Sequence, residues 1–185
     1  TNTMLRAAMV LAVVGGDLMQ TAQETERTTS DLGLSLKRRG ATDTYSAYIR
    51  TQQSKLDKVR TKIDAIDVGR QHQVKREFAK ALAEGTAGLS SLRGKTVLCL
   101  GARLGGEVRA FKALGAVALG IDLNPGRSNM DVVAGDFHAI PFPDASFDYA
   151  YSNVLDHVFD RDRFAAEACR VVKAGGLLFA SLYPG

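Results

Sequence analysis

Cysteine is scarce in this chain, with Cys99 and Cys169 the only two, and both sit in apolar surroundings on what read as a core strand and a helix. That speaks against a disulfide framework and points to an intracellular, reducing compartment. Histidine is thinly spread as well: His72, His138 and His157 are scattered, no Cys/His grouping has ligand spacing, and no metal site is expected. Dense basic clusters are missing apart from Lys37, Arg38 and Arg39, and there is no internal repeat or low-complexity tract. Long apolar runs are nearly missing too. The stretch from Met4 to Met19 is apolar apart from Arg6 and Asp17, and a spanning helix needs roughly 17 to 25 apolar residues. It reads first as a buried apolar helix. Membrane contact through residues 4–19, a signal-anchor remnant and an organellar or membrane-associated location stay open.

What the chain does contain is ordinary for a globular protein: 185 residues, 45% hydrophobic and 24% charged, enough for one domain with an appendage. The charge is uneven. Residues 1–95 carry 16 Lys or Arg against 10 Asp or Glu, whereas the remainder carries 8 against 10, so a net +6 and a net −2 make up the overall +4. The basic part is compatible with a solvated helix face, and it leaves RNA, anionic lipid or an acidic protein open as partners.

Three segments follow from the patterning. Residues 1–42 are the apolar helix and a polar linker. Residues 43–92 are an amphipathic helical extension: Tyr45, Ile49, Gln52, Leu56, Val59, Ile63 and Ile66 recur in steps of four and three, a heptad seam. Thr42 or Asp43 is placed to cap this helix. Gly69 is placed to break it, before a second set, Val74, Phe78, Ala81 and Leu82. The seam faces either this chain's own domain or a protein partner, and the second option is taken here as the expectation.

Residues 93–185 change period. Short β-rich runs at 96–100, 117–121, 131–134, 147–151 and 177–182 alternate with helical runs at 107–114 and 161–172. Such alternation predicts an α/β, Rossmann-like, mostly parallel sheet with helices on its faces. Ligands of such sheets bind beyond the carboxyl ends of the strands, where strand order reverses. The chemistry should therefore follow the strands. After the first comes the turn Gly101-Ala102-Arg103-Leu104-Gly105; after the second, Asp122, about twenty residues on, where a carboxylate can accept from ribose hydroxyls. After the third come Gly135, Asp136 and Phe137.

With Gly135-Asp136-Phe137-His138, Pro141-Phe142, Ser146-Phe147-Asp148, Ser152 to His157 and Val171 to Leu178 in order behind them, these motifs resemble the class I methyltransferases. More narrowly, the Gly-Ala-Arg-Leu-Gly turn resembles a plant-type, methyltransferase-11-like group. The resemblance covers roughly residues 93–184. It implies S-adenosylmethionine as cofactor and methyl transfer to an unidentified acceptor. Gly101, Ala102 and Gly105 would hold the methionine moiety, Asp122 the ribose, Leu123 the adenine edge, and Asp136 with Phe137 the adenine amino group and ring. Asn153 would line the methionine side, and His157 with Asp156 would face the acceptor, His157 as base. Cys99 stands where relatives often carry a carboxylate for the cofactor's amino group, and Glu107 could compensate. The resemblance also implies two further strands after the fifth, so the sheet is expected to be truncated with an open edge. The alternative reading is a catalytically inactive docking subunit of a larger assembly.

Overall fold

The computed structural model describes residues 8–13, 44–58 and 60–182. Its elements are β1 (Ala8–Val13), α1 (Tyr45–Lys58), α2 (Arg60–Glu84), β2 (Thr96–Leu100), α3 (Gly106–Ala113), β3 (Val117–Asp122), β4 (Val132–Ala134), β5 (Phe147–Ser152), α4 (Arg161–Val171) and β6 (Val172–Leu182). Short 3-10 turns span Thr86–Gly88 and Leu155–His157.

One six-stranded sheet runs in the order β1-β6-β5-β2-β3-β4. Strands β2 to β6 are mutually parallel, as the alternation predicts. The central strand β2 is buried from Val97 to Leu100, an uninterrupted apolar run that only a strand covered on both faces can bury. Its neighbours β3 and β5 lead in opposite directions across the sheet, so the reversal of strand order lies at the carboxyl end of β2.

The expectation of an open edge after the fifth strand is corrected, and with it the helical reading of the N-terminal apolar run. Residues 8–13 form a strand that pairs antiparallel with β6, Ala8 opposite Leu182 through Val13 opposite Leu177. A short run apolar on every position cannot be told from a buried helix by periodicity. The unpaired N–H and C=O groups along β6 decide it, because a strand satisfies them and a helix does not. The rest of residues 1–42 and the caps Thr42 and Asp43 lie outside the described residues. Thr44 takes the capping role instead, its Oγ1 accepting from the Ala47 N–H at 3.2 Å. No helix among the described residues is long and apolar enough to cross a membrane.

The helical extension is also reorganised. The helices are described over Tyr45–Lys58 and Arg60–Glu84, and the break expected at Gly69 is corrected, since Gly69 sits inside α2. The two helices then take opposite faces of the sheet. Tyr48 of α1 joins Leu98, Leu100, Phe137, Phe164 and Val171 on one face. Val74 and Phe78 of α2 join Val97, Cys99, Phe111, Tyr151 and Phe179 on the other. The Phe78 ring meets Phe111 and Phe179 edge-on, with centroids 4.7 and 4.9 Å away. Of the heptad seam, Ile63 is buried and Tyr45 and Ile49 pack partly against the α1-side core, while Ile66 is 47% exposed; Tyr48, outside the seam, is buried. These contacts lie within the chain's own domain. The extension thus straddles the end of the sheet where the strand order reverses.

Candidate functional site

Glycine makes the first turn possible. Gly101 has φ of 77°, and a Cβ there would lie 2.6 Å from Val154 Cγ2, so the turn after β2 closes only without a side chain. The Gly101 and Ala102 amides donate to Ile121 O at 2.9 and 3.1 Å, tying this turn to the end of β3. Arg103 follows at a positive φ of 46°, and its N–H donates to Asp122 Oδ2 at 3.0 Å. The other oxygen, Oδ1, accepts from the Asn124 N–H at 2.8 Å. Burial raises the Asp122 pKa, against the lowering effect of these two amides and of the Arg103 and Lys55 charges. Each carboxylate oxygen still has acceptor capacity for a ligand hydroxyl.

On the other side of the turn stands Glu107, in the first turn of α3 and only 3% exposed. Its Oε1 accepts from Asn153 Nδ2 at 2.6 Å and lies 3.6 Å from Arg70 Nε. Its Oε2 is buried and has no hydrogen-bond partner. Burial pushes Glu107 up to about 6, although Arg70 and Asn153 favour the charged form. An orphaned buried carboxylate oxygen is costly, which marks a place where a donor is expected.

A cavity of about 370 Å³ opens at this point, lined among others by Gly101, Ala102, Glu107, Asn153, Asp156, His157 and, from α2, Ile63, Ile66 and Arg70. A smaller one of about 40 Å³ continues past Gly101 and Arg103 to Asp122, Leu123 and Phe137, roofed by Tyr48, Gln52 and Lys55 of α1. Gly101, Arg103, Val154 and His157 line both, so the two are halves of one cleft. Lys55 is half-buried beside Arg103, and burial together with that like charge lowers its pKa while Asp156 and Asp122 oppose the shift.

Eight of the ten expected site residues therefore meet in the cleft, and two do not. Gly105 lines neither cavity; at φ of 88° it caps α3 and packs against Asp131 and Val132. Asp136 likewise lines neither. Its carboxylate accepts from the Tyr45 hydroxyl, and at 2.9 Å each from the His138 N–H and ring Nδ1. The Asp160 N–H donates to His138 Nε2 at 3.2 Å, so Nε2 is an acceptor and Nδ1 carries the proton given to Asp136. Burial works against ionising Asp136, but the His138 and Tyr45 bonds outweigh it and lower its pKa. In this structure Asp136 is a tether for α1. The residues that sequence reasoning left out are those of the extension: Lys55, Ile63, Ile66, Asp67 and Arg70 approach the cleft only because α1 and α2 fold back over the sheet.

The cleft thus sits at the strand-order reversal of a parallel sheet, with a glycine turn between a buried and a half-buried carboxylate, which defines an α/β ligand-binding domain of the methyltransferase kind. Comparison with known proteins makes that specific: residues 98–180 match the family model of the type 11 methyltransferase domain. This part of the chain is a class I methyltransferase domain. Among curated relatives, 2-methyl-6-phytyl-1,4-hydroquinone methyltransferase of Synechocystis is 38% identical over 120 residues, covering 57% of this chain and 37% of the relative. Fatty-acid O-methyltransferase of Mycolicibacterium smegmatis is 33% identical over 114 residues, covering 54% and 41%. The chain spans about two fifths of the length of these curated relatives. A solved structure from Methanococcus maripaludis, of a candidate S-adenosyl-L-methionine-dependent methyltransferase, superposes with a TM-score of 0.50 at 16% identity, covering 79% of this chain and 69% of that one, a likeness of fold.

Proposed function

We propose that this chain binds S-adenosylmethionine in the cleft and takes part in methyl transfer to an acceptor held against α2. The observation that supports it most is the pairing of Glu107 and Asp122 on either side of the Gly101 turn. The unpartnered Glu107 Oε2 suits the cofactor's ammonium group, and Asp122, already steadied by two amides, suits the ribose hydroxyls. Leu123 and Phe137 then flank the adenine ring and Asn153 the methionine side. The adenosine half is narrow with α1 as it stands, so the nucleoside enters with a displacement of the Tyr48, Gln52 and Lys55 roof.

The bound sulfonium supplies an activated methyl group and a thioether leaving group; the chain's task is placement and removal of a proton. Ile63, Ile66 and Val154 give the larger cavity an apolar wall, next to His157 and Asp156. His157 Nε2 lies 3.8 Å from Asp156 Oδ2, which places the carboxylate beside the imidazole. In this reading an acceptor hydroxyl or ammonium with an apolar body lies along α2, and His157 takes its proton. The relatives acting on a phytyl hydroquinone and on fatty acids fit an acceptor of that character. Turnover of hydroquinone and fatty-acid acceptors, assayed with the wild-type chain and with His157→Ala, tests the reading. Loss of about 100-fold or more in kcat with unchanged cofactor affinity supports a base at this position. Equal turnover by the variant removes His157 from the chemistry.

A further inference from the structure

An α-amino acid presents an ammonium and a carboxylate on one carbon, so a site that reads it needs an acceptor and a cationic donor a few ångströms apart and facing the same space. The larger cavity contains such a pair from two different parts of the chain. Glu107 of the sheet domain offers the unpartnered Oε2, and Arg70 of the helical extension lines the same cavity with its Nε 3.6 Å from Glu107 Oε1. Asn153 occupies Oε1 at 2.6 Å, which fixes the carboxylate and leaves Oε2 for the incoming ammonium.

Arg70 is not placed there by its own contacts alone. One turn earlier on α2, Asp67 is 8% exposed, accepts from the Gly106 N–H at 2.9 Å and pairs with Arg109. At Gly106 α2 lies close against α3: a Cβ on it would lie 2.3 Å from Asp67 O. The extension is thereby held against the start of the helix that bears Glu107, and Arg70 is held over the cavity.

We infer that Arg70 binds the α-carboxylate of the cofactor's methionine moiety while Glu107 binds its ammonium, which makes the helical extension part of the cofactor site. This rests on the reading of the cleft as an S-adenosylmethionine site. It assigns Asp67 as a positioning residue for Arg70. A guanidinium suits the task because it offers two parallel N–H donors to a carboxylate. A free amino acid presents the same zwitterion, and the ligands of the test separate the two sources.

The test is calorimetric titration of the full chain and of Arg70→Gln with S-adenosylhomocysteine, with decarboxylated S-adenosylmethionine, which keeps the ammonium and nucleoside but lacks the carboxylate, and with methionine. For S-adenosylhomocysteine, Arg70→Gln should weaken binding by about tenfold or more, as loss of a charge-assisted pair does. The same change should leave the decarboxylated ligand's affinity within about twofold, since it has no carboxylate to lose. Methionine alone should bind far more weakly than S-adenosylhomocysteine. Equal weakening of both nucleoside ligands by Arg70→Gln would show a merely structural role and overturn the assignment, as would no weakening of either. Tight binding of methionine with none of the nucleoside ligands would assign the zwitterion site to an amino acid and overturn it. If the wild-type chain binds none of the three, the reading of the cleft itself fails, and this inference with it.

Discussion

The Asp67 carboxylate, carried on α2, accepts a buried 2.9 Å hydrogen bond from the backbone N–H of Gly106 at the start of α3. A helix N-terminus leaves amides without intrahelical partners and favours negative charge, so this is a capping bond supplied from a different helix. The same carboxylate pairs with Arg109. Replacing Asp67 by Ala strands the Gly106 amide and removes one partner of Arg109, which keeps Gln71, Leu104 O and Asp131, and is expected to cost about 1 to 3 kcal/mol. Denaturant unfolding of the variant checks this, and a change within about 0.5 kcal/mol would mean the capping bond contributes little.

Gly106→Ala sets two effects against each other. Alanine favours the helical backbone by about 1 kcal/mol over glycine. Yet the added Cβ would lie 2.3 Å from Asp67 O, a backbone atom that cannot step aside without moving α2. The clash is expected to win, giving a net loss of about 1 to 3 kcal/mol. A stabilised variant would show that α2 is not held as closely as described.

Glu107 gives a pH dependence to ligand binding. Its folded value of about 6 lies above its ordinary 4.5, raised by burial and by Asp67 and lowered by Arg70 and Asn153. Raised in this direction, the group stabilises the fold when protonated, and that contribution is lost as pH rises from about 4.5 through about 6. Binding of an ammonium on Oε2 runs the other way, because it requires the ionised form. Affinity for S-adenosylhomocysteine should be full above about pH 7 and fall, by up to about tenfold per unit, below about pH 6, with proton release on binding in that range. Glu107→Gln should bind more weakly above about pH 7 and with a flatter profile below it. Calorimetry across this range reads both, and a wild-type profile that does not change would place the ammonium elsewhere.

The N-terminal strand can be checked through its backbone. In an antiparallel pair, successive N–H groups point alternately to the partner strand and away from it. Proline at Val10 and at Leu11, introduced separately, should therefore differ. One removes a ladder bond to β6 and lowers stability by about 1 to 3 kcal/mol, while the other, facing outward, costs less. Two variants that both unfold as the wild type does would show that β1 contributes nothing to the sheet.

What could be read from the sequence follows the range over which its physics acts. The parallel strands declared themselves through local period and apolar runs such as Val97 to Leu100. Asp122, Asn153 and His157 reach the cleft because residues at strand ends are placed by topology alone. Asp136 has the same address, yet the Tyr45 hydroxyl, 91 residues away in sequence, accounts for its orientation. Residues 8–13 carry no period that separates strand from helix, and what decides them is the backbone of β6 at the far end of the chain. Arg70 had no local signal either. It stands on a helix whose pattern speaks only of amphipathicity, and it gains its position from Asp67 and Gly106 meeting across that fold.

The central claim is that the cleft between Glu107 and Asp122 holds S-adenosylmethionine, and equilibrium dialysis of the labelled cofactor against the full chain tests it most directly. Asp122 should be worth about 1.5 to 3 kcal/mol to that complex, or roughly 10- to 150-fold in affinity. The predicted result is one bound equivalent per chain, displaced by S-adenosylhomocysteine, with Asp122→Ala retaining its fold and losing affinity in that range. No retention of cofactor by the folded wild-type chain at millimolar ligand, or equal retention by wild type and Asp122→Ala, would contradict it.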